Sequence, residues 1–227
     1  MIAAAVLVPH PPVLLRELGG TDDPVPDLRS AALAAVRDLV RDVDAVVVVG
    51  GSDVGRAWDP AAGADVRRFG TTSAPRPDAA LPPSLGVGVR LLADAGWTGP
   101  VLTHAVAWDA DRATLDDLAG DVAGRDGRVG VQVLGDGSAR RGEKAPGYLD
   151  ERAFPFDDAV AKALADGEAA ELADLDSDLA AELMVLGASA FRFLGLLALR
   201  QSARPDAAVT YHDDPFGVDY VVATWRF

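Results

Sequence analysis

Residues 45–49 read Ala-Val-Val-Val-Val, an apolar run with no polar residue to interrupt it. A strand with one wet face alternates apolar and polar residues, so an unbroken run suits a strand covered on both faces. Further short strand-like segments stand at residues 3–8, 101–107 and 129–134. Between them lie Ala- and Leu-rich segments with helical spacing at 27–41, 85–95 and 114–122. Strands alternating with helices predict an α/β fold: a three-layer αβα sandwich around a mostly parallel sheet with mixed edges.

The second half continues this pattern less regularly. Residues 139–155 read as a loop with a turn at Pro146-Gly147, followed by helices at 156–166 and 168–175. One long helix is expected over 179–200, with Asp176, Ser177 and Asp178 as candidate N-caps. Strands are expected at 208–211 and 220–225, the latter either internal or paired across a homo-oligomer. The Pro-rich stretch at 71–83 is the one flexible segment expected, and it is too short to divide the chain. Residues 1–227 therefore read as one domain, long enough to bury a core without staples.

Charge narrows the partners. With 21 basic against 35 acidic side chains the formal net charge is −14. That argues against nucleic acid, which demands clustered Lys and Arg, and against anionic membrane surfaces. Most of the acids are Asp, and Lys144 and Lys162 are the only lysines. GC-rich codon usage writes such a chain, and so does adaptation to high salt. The apolar stretch 183–199 carries Arg192 near its middle, which costs about 2.5–3.5 kcal/mol at a bilayer centre, so it reads as a buried helix. Residues 2–8 lack a basic flank and run into Pro9-His10-Pro11-Pro12, unlike a signal peptide. A cytoplasmic location follows as the expectation.

With no cysteine, any metal must be held by His10, His104, His212 or carboxylates. Ligands of open α/β sheets bind at the carboxyl ends of the strands, and polar residues gather there. His10 follows the first strand, and Ser52 and Asp53 the second. Asp136 and Ser138 follow the strand at 129–134, and His212, with Asp213 and Asp214, the strand at 208–211. These groups are expected to converge on a pocket for a small-molecule ligand. Each also has a purely structural reading, as a rigid strand exit, a tight turn or a solvated loop. His104 lies inside its strand and reads as a hydrogen-bonded core histidine. The chain has no G-x-S-x-G elbow, Walker loop, dinucleotide fingerprint or H-E-x-x-H motif. Ser52 at a strand end keeps a serine hydrolase as a distant alternative.

Taken in order, these landmarks resemble the LigB-type class III extradiol ring-cleavage dioxygenase superfamily, to which the Memo proteins are related, and most of all its short actinobacterial members. Residues 4–15, Ala-Ala-Val-Leu-Val-Pro-His-Pro-Pro-Val-Leu-Leu, look like its first strand and P-H-P-P metal-ligand turn. Residues 46–53 stand where many relatives read S-P-H. Asp136-Gly137-Ser138-Ala139-Arg140 looks like the family's D-L-S-H-R, and Pro146-Gly147-Tyr148 with Phe156-Asp157 like its G-Y…F-D. Residues 181–197 resemble the late helix with E-x-x-x-C-G-x-x-S, with Glu182 and Gly187 in register, Leu186 at the cysteine, and Ser189 one position early.

The resemblance implies a LigB-like fold and ferrous iron held by two histidines and a carboxylate, with a further histidine as acid and base. His10 matches the first ligand and Glu182 the carboxylate. Ser52, beside Asp53, stands at the second ligand, and Ala139 at the acid–base histidine. The carried-over site has His10 and Glu182 on a metal and His212 as the catalytic acid–base group. Ser52, Asp53, Asp136, Ser138 and Tyr148 then contact the substrate. In a rebuilt version, Asp53 and His212 complete the coordination of Fe(II), Mn(II) or Zn(II). The implied activity is that of a divergent metal-dependent oxidoreductase, a dioxygenase acting on a small catechol-like aromatic. The alternative is a metal-free relative that keeps the fold and pocket to bind a small molecule or a partner.

Overall fold

A computed structural model of the chain describes residues 1–19, 22–70 and 79–227. At its centre is β5 (Val129–Leu134), every residue of which is buried. It lies between β1 (Ile2–Val8) and β2 (Ala45–Ser52), parallel to both, with Val131 opposite Ala5 and Val47. β4 (Val101–Ala107) runs parallel on the far side of β2. The edges are antiparallel: β3 (Arg56–Trp58) pairs with β4, β7 (Tyr220–Arg226) with β1, and β6 (Asp206–Asp213) with β7. The seven-stranded order is β3-β4-β2-β5-β1-β7-β6. The strand expected at 220–225 is therefore internal, and β6 forms the edge beyond it.

Helices cover both faces, which explains the unbroken apolar run of β2. Val46 and Val48 enter one core with α1 (Pro26–Leu39) and α2 (Pro83–Asp94). Val47 and Val49 enter the other, with α3 (Arg112–Ala123), α4 (Ala153–Asp166), α5 (Ala169–Ala173) and α7 (Ala188–Leu199). Each fully buried Val or Leu contributes about 1.5–3 kcal/mol of transfer free energy. Helix starts are set locally. Pro26 and Pro83 open α1 and α2, where a missing N–H costs nothing. The Asp111 carboxylate accepts from the Thr114 amide at 2.8 Å at the start of α3.

The long helix expected over 179–200 is broken. A short α6 (Ser177–Glu182), capped by Asp176, ends before Leu183, and α7 begins at Ala188. Between them Met184 adopts a left-handed φ of 56°. The break receives the loop that leaves β5: the Gly187 amide donates to the Asp136 carbonyl at 2.9 Å, and the Ala139 amide to the Leu183 carbonyl at 3.1 Å. A Cβ on Gly187 would stand 2.5 Å from that Asp136 oxygen. Of the Pro-rich stretch at 71–83, residues 71–78 lie outside the described residues, and Pro83 already belongs to α2. No described helix is long and apolar enough to cross a membrane.

Candidate functional site

β7 runs against β1, and β6 runs against β7, so β6 points the same way as β1. The ends of β1, β5 and β6 and the start of β7 therefore share one edge of the sheet. A polar network, largely buried except at His212 and Asp214, assembles there. The His10 amide donates to Asp136 Oδ1 at 2.7 Å, and the ring Nδ1 lies 3.4 Å from the same oxygen. The Ser138 amide and hydroxyl donate to Asp157 at 2.9 and 2.5 Å. His212 Nε2 meets Asp219 Oδ1 at 2.8 Å. Arg141 sits among the acids, donating to Asp214 at 2.7 Å and to Asp157 at 3.4 Å, with Asp219 at 3.9 Å, and its guanidinium lies over the Phe154 ring.

Backbone contacts hold this network in place. The Gly137 amide donates to the Asp219 carbonyl and the Asp219 amide to the Ser138 carbonyl, at 2.8 and 2.9 Å. Glycine is required at 137, since a Cβ would fall 2.6 Å from the Asp219 carboxylate. Burial, and then the neighbouring Asp219, push the Asp157 carboxyl up to about 6. Burial also raises Asp136, against the opposing effect of His10. The bond to Asp219 raises His212 against its own burial. A His–Asp pair of this kind can hold or pass a proton, but the Ser138 hydroxyl is already engaged by Asp157. The cluster is a proton-holding brace more than an open reaction centre.

Ser52 and Asp53 belong to a second group at the end of β2. Trp108, which follows β4, folds its ring over Gly51, and its Nε1 donates to Asp53 at 3.1 Å. The Trp108 amide donates to the Ser52 carbonyl at 3.1 Å, and the Ser189 hydroxyl to the Trp108 carbonyl at 2.8 Å. This loop and the α6–α7 break enclose a cavity of about 670 Å³ whose walls include Trp108, Met184, Leu186, Ser189 and Arg192. A smaller cleft of about 360 Å³ lies across the same loop, against His104, Ala107 and Leu118. His104 is half-buried there rather than in the core, and burial lowers its pKa.

The expected convergence is thus divided. His10, Asp136, Ser138 and His212 come together, whereas no hydrogen bond or ion pair joins Ser52 or Asp53 to them among the described residues. Tyr148 stands 75% exposed on the loop before α4. Glu182 is exposed and ion-paired with Arg152 at 2.7 Å. As a donor set for Fe(II), Mn(II) or Zn(II) these residues do not fit: Glu182 is held outward by Arg152 and His212 Nε2 is taken by Asp219. Among the described residues, no three His, Asp or Glu side chains are grouped to hold an ion. Ser52 has its hydroxyl 3.5 Å from the Val54 amide, and no described histidine bonds to it.

Sequence reasoning passed over Arg141, Asp219 and Trp108. Arg192 was visible as a charge inside an apolar helix, but as an argument against a membrane span.

No protein-family model matches the chain, and no curated protein does. Among solved structures it is similar to the uncharacterized protein JW3007 from Escherichia coli K12, at 16% identity and a TM-score of 0.54. That likeness covers 99% of this chain and 100% of the other, and at such identity it speaks to the fold alone.

Proposed function

We propose that this protein is a metal-free small-molecule-binding member of the fold, using a pocket at the carboxyl edge of the sheet. The observation that carries this reading is the division of the polar edge. His212 and Glu182, two of the groups a metal would need, are ion-paired to Asp219 and Arg152, and buried His10 stands beside Asp136 with its Nδ1 free of any hydrogen bond among the described residues, while the open cavity lies beside Trp108 and the α6–α7 break. A cavity of about 670 Å³ falls within the usual range for small-ligand sites, roughly 300–1,000 Å³. Its position at the strand ends is where open α/β sheets take ligands.

Protein purified without chelator or affinity tag, and assayed for metal, tests the reading. The expected result is substoichiometric metal and an unchanged thermal midpoint with added Fe(II), Mn(II) or Zn(II). A ligand at 100 times its dissociation constant stabilises by about 2.7 kcal/mol, so a real site would be visible. Stoichiometric metal that is lost in His10→Ala would overturn the proposal in favour of the metal-dependent enzyme.

A further inference from the structure

Arg192 lines the cavity from the first half of α7, and its Nε is buried with no hydrogen-bond partner among the described residues. Its Nη1 reaches the Ala110 carbonyl at 3.3 Å, and no described carboxylate lies within ion-pairing distance. The neighbouring cation, Arg112, is already committed to Asp174 and to the Ala173 carbonyl. The Nε itself is closed off from the cavity, so it is the outer guanidinium nitrogens, whose charge has no ion-pair partner among the described residues, that can meet a ligand there. Asp111 and Asp174 attract the Arg192 charge from beyond hydrogen-bonding distance, and among the described residues no carboxylate bonds to it. Asp111 is turned to its own helix, accepting from the Thr114 amide.

The rest of the wall sets the remainder of the ligand. Trp108, Met184 and Leu186 are 38, 39 and 48% exposed, three large apolar side chains around one opening. Such a concentration on a protein surface marks a contact site. Asp109, Asp111 and Asp178 also line the cavity. Their charges disfavour a dianion, so one unpaired guanidinium among them selects a single negative charge.

We propose that this cavity binds a small monocarboxylate with an aromatic or other apolar body, its carboxylate accepting from the outer nitrogens of the Arg192 guanidinium and its body lying against Trp108, Met184 and Leu186. The assignment rests on the small-molecule-binding reading above and names its ligand class. The α7 amino terminus, where Ala188 and Ser189 border the same cavity, adds favourable positive potential.

The test uses the full chain with three probes, benzoate, benzamide and inorganic phosphate, followed by tryptophan fluorescence and thermal shift. Benzoate is expected to bind saturably and at least tenfold more tightly than the isosteric neutral benzamide, with phosphate giving no response. Arg192→Met should weaken benzoate at least tenfold and leave benzamide unchanged. Arg192→Lys keeps the charge but removes the planar guanidinium, and should fall between wild type and Arg192→Met. Equal binding of benzoate and benzamide, binding of phosphate, absence of saturable benzoate binding, or benzoate affinity unchanged in both variants would each overturn the assignment. Metal content of the same preparation separates the two proposals. Metal-free protein that fails to select benzoate sinks only the ligand class, whereas stoichiometric metal sinks the reading beneath it.

Discussion

Asp157 shows how one buried carboxyl can set the pH response of a protein. Its native value of about 6 lies above the roughly 3.9 of an unfolded aspartate, so over that window the folded state binds more protons than the unfolded state. Stability must then fall as pH rises from about 4 to 6, by something on the order of 3 kcal/mol if the shift is fully expressed. Asp136 pulls the same way, because burial raises it too. His212, raised by Asp219, is stabilising while protonated, and that contribution is lost as pH climbs above roughly 6.5. Opposing these, Asp150 is held down to about 2 by Arg152, and Asp23 is lowered by Arg29. Their contributions fade only below about pH 4. The thermal midpoint is therefore expected to peak near pH 4 and decline toward pH 8. Asp157→Asn should flatten the limb between pH 4 and 6 and leave the decline above it. Calorimetry across that range decides the matter: a midpoint that rises from pH 5 to 8, or a slope the variant does not change, would contradict the account.

At the level of elements, the junction between β2, the loop after β4 and the start of α7 depends on Gly51. An added Cβ there would lie 1.8 Å from the Trp108 ring. Gly51→Ala should expel the indole, breaking its bond to Asp53 at a cost of about 1–3 kcal/mol, as overpacking usually does. Tryptophan emission is expected to shift to the red with unchanged far-ultraviolet dichroism; an unmoved spectrum and midpoint would contradict the packing. Elements governed by local pattern were legible in the sequence. The Val46–Val49 alternation between two cores follows directly from an apolar run that has to be covered twice. The break between α6 and α7 was not, because it is made by a loop from the other side of the fold docking on Leu183 and Gly187. Half of the polar edge was legible for the same reason. His10 and Asp136 each follow a strand and His212 stands at the end of one, so the rule of carboxyl ends finds them. Asp219 precedes β7, and only the antiparallel placement of that strand brings its start to the same edge. Ser52 also ends a strand, yet Trp108 claims its surroundings, which no local pattern announces.

For the whole molecule the deciding quantity is the net charge of −14. Added salt acts on it in two opposite ways. It weakens exposed ion pairs such as Arg41–Asp38 and Arg152–Glu182, which contribute little because solvent screens them. It also screens the repulsion among the excess acids, which destabilises the compact state. Reach decides between them. At 0.01 M salt the screening length is about 30 Å, larger than the radius of gyration of roughly 17 Å for a chain of this length, so every acid feels every other. At 0.15 M it is about 8 Å, and distant repulsion is gone while contacts within 4 Å keep much of their attraction. The Arg141 cluster, largely buried, is screened least of all. Repulsion is therefore lost first, and the thermal midpoint should rise by several degrees between 0.01 and 0.3 M sodium chloride, using about 2–4 °C per kcal/mol for a domain of this size. A plateau above 0.3 M fits an acidic composition written by codon usage, whereas a rise continuing into the molar range fits adaptation to high salt. A midpoint that falls from the first addition of salt would mean that the surface ion pairs outweigh the net charge, and would reverse the argument.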